Sequence, residues 1–175
     1  MKESVKILLS AGQIQQRVTE LAEEIMRDYN GKIITMVCVL KGGIIFLADL
    51  ARKIRGPVEF EFMDVSSYGD EAVGGKIALN KDIEGGLEGK DVLLVEDIID
   101  TGNTVSFICK HLLAKNPASF RVCALLDKPE RRLAAGLTVD YTGFVIPDRF
   151  VVGYGLDYAQ RYRNLEYIGV LSFEE

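Results

Sequence analysis

At 175 residues, 48% of them hydrophobic, the chain is the size of one domain with a sizeable core, and a single unit over 1–175 is expected. A formal net charge of −5 and a pI of about 5.1 argue against a general nucleic-acid or membrane-surface binder. Three cysteines without metal spacing, a polar start and no apolar run long enough for a bilayer lead us to expect a cytoplasmic protein.

Residues 5–9 form a short apolar stretch, an edge strand or arm. Ser10 is a helix cap. Ile14, Val18, Leu21, Ala22, Ile25, Met26 and Tyr29 then recur at helical spacing until Asn30-Gly31 stops the pattern. Residues 33–40 read as a buried strand rich in β-branched side chains. It ends in Lys41-Gly42-Gly43, where paired glycines let a backbone approach a ligand. A helix through Ile44, Leu47, Leu50 and Ile54 follows. Residues 58–65 read as a strand, 66–75 as a long polar and glycine-rich loop, and 76–83 as one arm of a hairpin.

The stretch from Asp91 to Val105 organises the rest. Residues 92–95 are a continuous apolar run, as in a strand covered on both faces. Glu96, Asp97 and Asp100 follow, then the small polar loop Thr101-Gly102-Asn103-Thr104, then a helical pattern through Val105, Ile108, Cys109, Leu112 and Leu113. In an open α/β sheet, ligands bind beyond the carboxyl ends of the strands. A helix start behind Gly and hydroxyl residues offers N–H groups to a phosphate. The adjacent carboxylates suit sugar hydroxyls or a hard cation. Together these point to a phosphorylated sugar.

Beyond Asn116-Pro117, residues 120–126 are another buried strand, ending in Asp127-Lys128-Pro129-Glu130-Arg131-Arg132. A lysine there can donate to a carbonyl oxygen or a phosphate. Residues 139–145 are a further strand. Residues 146–158 mix aromatics, glycines and carboxylates and read as a glycine-broken cover. Arg161-Tyr162-Arg163 precedes a last strand over 167–171. The βαβ alternation predicts an α/β fold, a parallel twisted sheet flanked by helices, with Lys41, Asp100 and Lys128 at strand ends that could share one edge.

Val95-Glu96-Asp97-Ile98-Ile99-Asp100-Thr101-Gly102-Asn103-Thr104 resembles the phosphoribosyl-pyrophosphate loop of the type I phosphoribosyltransferases. Leu40-Lys41-Gly42-Gly43 looks like the family's pyrophosphate loop, and Ser67-Tyr68-Gly69 like the start of its lid. Leu126-Asp127-Lys128-Pro129-Glu130-Arg131-Arg132 is similar to the purine-contacting segment of the hypoxanthine-guanine members. Ile146-Pro147-Asp148-Arg149-Phe150-Val151-Val152-Gly153-Tyr154-Gly155-Leu156-Asp157-Tyr158 and Arg163 resemble their hood, which the family builds from N- and C-terminal segments. Val73-Gly74-Gly75 stands where members often carry Ser or Thr.

The resemblance implies Mg²⁺-assisted transfer of 5-phosphoribosyl from phosphoribosyl pyrophosphate to N9 of hypoxanthine or guanine. It assigns the sugar diphosphate to Lys41, Gly42, Glu96, Asp97, Asp100, Thr101, Gly102, Asn103, Thr104 and Arg163. Asn103 enters through its place in the loop only. The purine falls to Lys128, Phe150, Val151 and Asp157, acid–base work to Asp100, metal contact to Glu96, Asp97 and Asp157, and the lid to Ser67 and Tyr68. It also implies a homodimer or homotetramer whose partners are the small-molecule substrates, with no nucleic acid or membrane.

Asp100-Thr101-Gly102 is also the aspartic-protease tripeptide, but it precedes a helix in an α/β pattern, whereas those proteases are all-β. The phosphate-loop signature of nucleotide kinases and the glycine fingerprint of dinucleotide folds are absent from the sequence. A ligand-sensing regulator on the same fold is the rival from another class, opposed by the acidic pI and the retained Asp100, Lys128, Asp157 and Arg163. His111, on the helix after the central loop, reads as a surface or interface residue.

Overall fold

The structure is a computed structural model that describes residues 2–68 and 76–174. In chain order the elements are β1 (Lys2–Leu9), α1 (Ala11–Tyr29), β2 (Ile34–Leu40), α2 (Ile44–Lys53), β3 (Val58–Tyr68), β4 (Lys76–Lys81), β5 (Asp91–Ile99), α3 (Asn103–Leu113), β6 (Ser119–Asp127), a 3-10 turn (Pro129–Arg131), β7 (Tyr141–Val145), β8 (Val151–Val152) and β9 (Ile168–Glu174).

Six strands form one sheet in the order β4-β3-β2-β5-β6-β7, parallel except for β4. Side-chain alternation along the central strands makes two cores. Met36, Cys38, Leu93 and Val95 face α1 and α2; Val37, Val92, Leu94 and Ala124 face α3. Each large apolar side chain enclosed in this way contributes about 1.5–3 kcal/mol, so helices on both faces are what these unbroken apolar strands require. Helix α1 begins with the expected Ser10 cap. Its hydroxyl accepts from the Gln13 N–H at 3.2 Å, and the Gln13 side chain accepts from the Ser10 N–H at 2.9 Å. The helix ends at Asn30, which is left-handed with φ 48°.

The chain steps outward from β2 through α2 to β3, and outward the other way from β5 through α3 to β6. The carboxyl ends of β2 and β5 therefore flank the point where the strand order reverses, the place where such sheets bind ligands. A separate antiparallel sheet, β1-β9-β8, joins the first strand to the last and stands over that point. Val151 and Ile168 of this sheet, with Tyr154 and Leu156 from the connection between β8 and β9, pack into the α1/α2 core, which fixes the hood to the body. No helix among the described residues is long and apolar enough to cross a membrane.

Several boundaries differ from expectation. β3 continues through Ser66, Ser67 and Tyr68, paired with β4 (Ser67 opposite Ile77, Tyr68 opposite Lys76), so these residues are strand rather than loop. The pair lies at the edge of the sheet, where polar side chains are tolerated in a strand. β5 continues through Glu96, Asp97 and Ile99, with its ladder to β6 reaching Ile99. Asn103, expected in the loop, is the first residue of α3. Residues 151–152 of the expected irregular cover form β8. The remainder of the lid segment, 69–75, including Val73-Gly74-Gly75, lies outside the described residues.

Candidate active site

β5 carries the apolar run through the core and delivers its acidic end to the sheet edge. Glu96 is 5% exposed, although it follows four fully enclosed strand residues. Beyond it the chain turns at Gly102, φ 81°, directly into α3. Gly102, at the cap position, brings no side chain of its own; the Asn103 N–H donates to Thr101 Oγ1 at 3.4 Å, and a helix start of this kind favours an anion. A Cβ at Gly102 would press on Arg132, Leu137 and Ala134, at 2.8, 3.1 and 3.2 Å. Glycine is thus required both by conformation and by space. The same neighbouring segment braces the loop from outside: the Leu133 and Ala134 N–H groups donate to the Thr101 carbonyl at 2.9 and 3.1 Å.

Two cavities open on this edge. One, of about 260 Å³, is lined by Glu96, Thr101, Gly102 and Thr104 together with Val39, Val65 and Val105. The other, of about 330 Å³, is lined by Lys41, Gly42, Lys128, Phe150, Val151, Leu156, Asp157 and Arg163. Asp97, Ile98 and Asp100 line both. Residues from β2, β5, β6 and the hood, up to 122 positions apart in the sequence, thus converge on a three-residue divide. Of the expected site residues, Ser67 and Asn103 line neither cavity.

Close backbone contacts hold the second cavity together. The Leu40–Lys41 peptide is cis. A Cβ on Gly42 would overlap the Asp97 carboxylate, and one on Gly155 would overlap the Gly42 carbonyl oxygen. Gly153, Tyr154 and Gly155 all have positive φ, of 98°, 51° and 102°. The turn they make is tied to the segment before β9 through the Tyr154 N–H to the Leu165 carbonyl at 2.8 Å and the Gly155 N–H to the Arg163 carbonyl at 2.9 Å. The Arg163 guanidinium donates to the Gly155 carbonyl at 2.7 Å and pairs with Asp157 at 2.8 Å. Phe150, 54% exposed, meets Tyr158 edge-on at 5.8 Å, and so presents a ring to the cavity mouth.

The carboxylates differ in character. Burial, reinforced by the charge of Asp97, pushes the Glu96 carboxyl well above its usual range, and Glu96 Oε1 has no hydrogen-bond partner among the described residues. Burial pushes Asp97 up to about 6, despite an N–H from Ile98 at 2.7 Å. Such groups suit neutral hydroxyl donors, whose arrival satisfies the oxygen without adding charge. Burial also pushes the Cys38 and Cys109 thiols up to about 12, which leaves no thiolate for nucleophilic work at neutral pH. His111 lies elsewhere, 2.9 Å from Asp82 and stacked on Phe107, as an interior-facing surface residue.

Lys128 is 6% exposed; its N–H donates to the Ile99 carbonyl at 2.9 Å, so the turn after β6 is fastened to the end of β5. Its ionic neighbours are not legible in the sequence. Arg131 Nε stands 2.6 Å from Asp100 Oδ1, Arg131 also reaches Asp148, and Lys128 lies 3.5 Å from both carboxylates. In the sequence Arg131 lies in the segment similar to the purine-contacting stretch, with no role of its own, and Asp148 lies in the cover. Their adjacency arises only because β6 and β7 pair in parallel, with Asp127 opposite Val145.

Glu96, Asp97 and Asp157 are the residues expected to contact metal; among the described residues no three His, Cys, Asp or Glu groups form a cluster. Asp157 lies in the second cavity and Glu96 in the first, on opposite sides of Asp97. Mg²⁺ keeps several waters and takes one or two carboxylates plus substrate phosphates, so a protein cage is not needed for it.

Taken together, the fold and cavities define an α/β protein with one cavity at the start of α3 and a second under the hood, divided by Asp97, Ile98 and Asp100. The phosphoribosyl transferase domain family matches residues 4–159, and the chain belongs to that family. A hypoxanthine-guanine phosphoribosyltransferase of Mycobacterium tuberculosis is 48% identical over 173 residues, covering 95% of this chain and 85% of the relative. The enzyme of that name from Bacillus subtilis is 46% identical over 174 residues, covering 98% and 96%. A crystal structure of a hypoxanthine-guanine phosphoribosyltransferase from Bacillus anthracis superposes with a TM-score of 0.92 at 44% identity, covering 98% of this chain and 100% of that one.

Proposed function

We infer that the chain is a hypoxanthine-guanine phosphoribosyltransferase. It is a purine-salvage transferase that moves 5-phosphoribosyl from phosphoribosyl pyrophosphate to N9 of hypoxanthine or guanine, giving IMP or GMP and pyrophosphate. The observation that carries the reading is the pair of cavities meeting at Asp97 and Asp100: a substrate spanning them has its phosphate on one side and its base on the other.

The N–H groups and hydroxyls from Thr101 to Thr104 hold the 5-phosphate at the start of α3. Glu96 and Asp97 accept the ribose hydroxyls. As the bond from C1 to pyrophosphate breaks, the sugar gains oxocarbenium character, and these carboxylates stabilise it from a site that needs no reorganisation. Asp100 takes the purine N7 proton or holds it in place. Lys128 donates to O6, Phe150 stacks on the ring and the Val151 backbone meets its far edge. Adenine has an amino group where O6 would be, which offers the Lys128 ammonium no acceptor on the base.

Lys41-Gly42 and Arg163 neutralise the departing pyrophosphate. The hard carboxylate oxygens of Asp157 and Asp97 fit Mg²⁺, which when bound would neutralise charge on the pyrophosphate. Ser67 and Tyr68 begin a lid that excludes water, a competing nucleophile. The reading extends to one phosphoribosyltransferase unit over 1–175 that works as a homodimer or homotetramer in the cytoplasm, a setting that suits three free thiols.

The test is an initial-rate assay with phosphoribosyl pyrophosphate and Mg²⁺ over hypoxanthine, guanine, xanthine, adenine and uracil, repeated with a chelator. Turnover of hypoxanthine or guanine, none of adenine, and loss with the chelator are expected. Tight phosphoribosyl-pyrophosphate binding without turnover of any base would favour the regulator.

A further inference from the structure

Beside the purine side of the site stands a closed ring of four alternating charges. Asp100 gives Oδ1 to Arg131 at 2.6 Å and Oδ2 to Lys128 at 3.5 Å. Asp148 gives Oδ1 to Lys128 at 3.5 Å and Oδ2 to Arg131 at 3.2 Å. Each carboxylate divides its two oxygens between the same two cations, and the ring is neutral. We propose that Asp148 and Arg131 are positioning residues for 6-oxopurine recognition: they hold the Lys128 ammonium toward the base and keep Asp100 from being monopolised by both cations. The proposal rests on the phosphoribosyltransferase reading and extends it to two residues that line neither cavity.

The argument begins with burial. The Lys128 side chain is 7% exposed, against 38% for Asp100, 45% for Arg131 and 49% for Asp148. Enclosing an ammonium is costly unless carboxylates are in reach. It has two here, and one of them, Asp100, is committed to the N7 proton. While Asp100 engages the base, Asp148 is the counter-charge left to Lys128.

Arg131 balances the other half. With Asp148 present, the guanidinium is shared. Without it, Lys128 and Arg131 would both turn to Asp100, a surplus positive charge would remain, and the base would have to compete for its own proton acceptor. A bond from Arg131 holds the exposed Asp148 carboxyl below the usual carboxylate range, so it is ionised at neutral pH and fit for this role. An ordinary exposed ion pair would matter little; this one matters because its fourth member is buried.

The backbone supports the geometry. Arg131 lies on the 3-10 turn that Lys128 begins, with the Arg131 N–H donating to the Lys128 carbonyl at 3.0 Å. Asp148 lies just beyond β7, where the Ile146 N–H reaches the Asp127 carbonyl at 2.9 Å and the Arg149 N–H the Pro147 carbonyl at 2.8 Å. It is two residues before Phe150. The ring thus joins the residue that would read O6 to the segment that would stack on the purine.

The experiment compares the wild type with Asp148→Asn, Asp148→Glu, Arg131→Gln and the double variant Arg131→Gln/Asp148→Asn, with KM measured separately for hypoxanthine and phosphoribosyl pyrophosphate. A wild type without turnover would sink the parent reading, and this one with it. Given wild-type turnover, Asp148→Asn should raise the hypoxanthine KM about tenfold and narrow discrimination against adenine, with the phosphoribosyl-pyrophosphate KM unchanged. Asp148→Glu should restore most of the loss, and so should the double variant, which removes one charge of each sign. Any of three results overturns the proposal: an unchanged hypoxanthine KM, an equal rise for both substrates, or a double variant worse than Asp148→Asn alone. If Asp148→Asn does not fold, the charge-balanced double variant is compared with Arg131→Gln, and a hypoxanthine KM no better than that of Arg131→Gln overturns it.

Discussion

Gly42 lies so close to Asp97 that a methyl group on its α-carbon would overlap Oδ2 and stand 2.8 Å from Cγ. The contact joins the loop after β2 to the carboxyl end of β5, where Asp97 forms part of the divide between the cavities. Gly42→Ala must displace either the backbone or the carboxylate. Because a displacement of about 1 Å can cost about 100-fold in rate, kcat/KM for phosphoribosyl pyrophosphate should fall by about that factor. The thermal midpoint should change little, since the overlap lies at the surface end of the strands. Wild-type kinetics in this variant would show that the contact is incidental.

Asp100→Asn and Lys128→Ala should fail in different ways. The first removes the proposed proton acceptor and should lower kcat by about 100- to 10,000-fold, with phosphoribosyl-pyrophosphate binding nearly intact. The second removes the proposed O6 donor and should act mainly on purine KM and on the preference for 6-oxopurines over adenine. Steady-state kinetics with each substrate varied in turn separate the two. Full activity in both variants would remove these site assignments.

Asp49, on α2, accepts from the Tyr154 hydroxyl at 2.6 Å and the Gln15 amide at 2.7 Å, and pairs with Arg52. Burial alone would raise its carboxyl, but these partners outweigh burial and hold it below the usual range. A depressed folded-state value means that the charged form is favoured by folding. Its contribution is therefore present above the unfolded value of about 3.9 and is lost as pH falls through the folded one. Asp49→Asn should lower stability by about 1 kcal/mol at pH 7, and the gap to wild type should narrow below about pH 4. Thermal unfolding across that range checks it; a gap that stays constant would mean that charge is not the cause.

The sequence made the body of the fold legible because its signals are local. Unbroken apolar strands, the Ser10 cap and the Asn30-Gly31 stop each depend on a few neighbours, and all stand where expected. The carboxylates and glycines of the central loop were legible for the same reason. The continuation of β3 through Ser66, Ser67 and Tyr68 was not, because a polar run at a sheet edge differs from a loop only by its partner strand. The tie between Arg131 and Asp148 was hidden for a stronger reason. The two residues are 17 positions apart, and only the parallel pairing of β6 with β7 brings them together.

The reversal of strand order between β2 and β5 gives the enzyme a modular character. The first cavity is built from the middle of the sheet, whereas Lys128, Phe150 and Val151 come from the outer strands and the hood, and the two cavities share Asp97, Ile98 and Asp100. On the proposed assignment, mutation can explore new bases on the periphery while the sugar end stays constant. In a descendant with altered base preference, the changes should accumulate between 127 and 158 and spare 96–104. A graft of the outer segments between relatives with different bases should carry specificity with it.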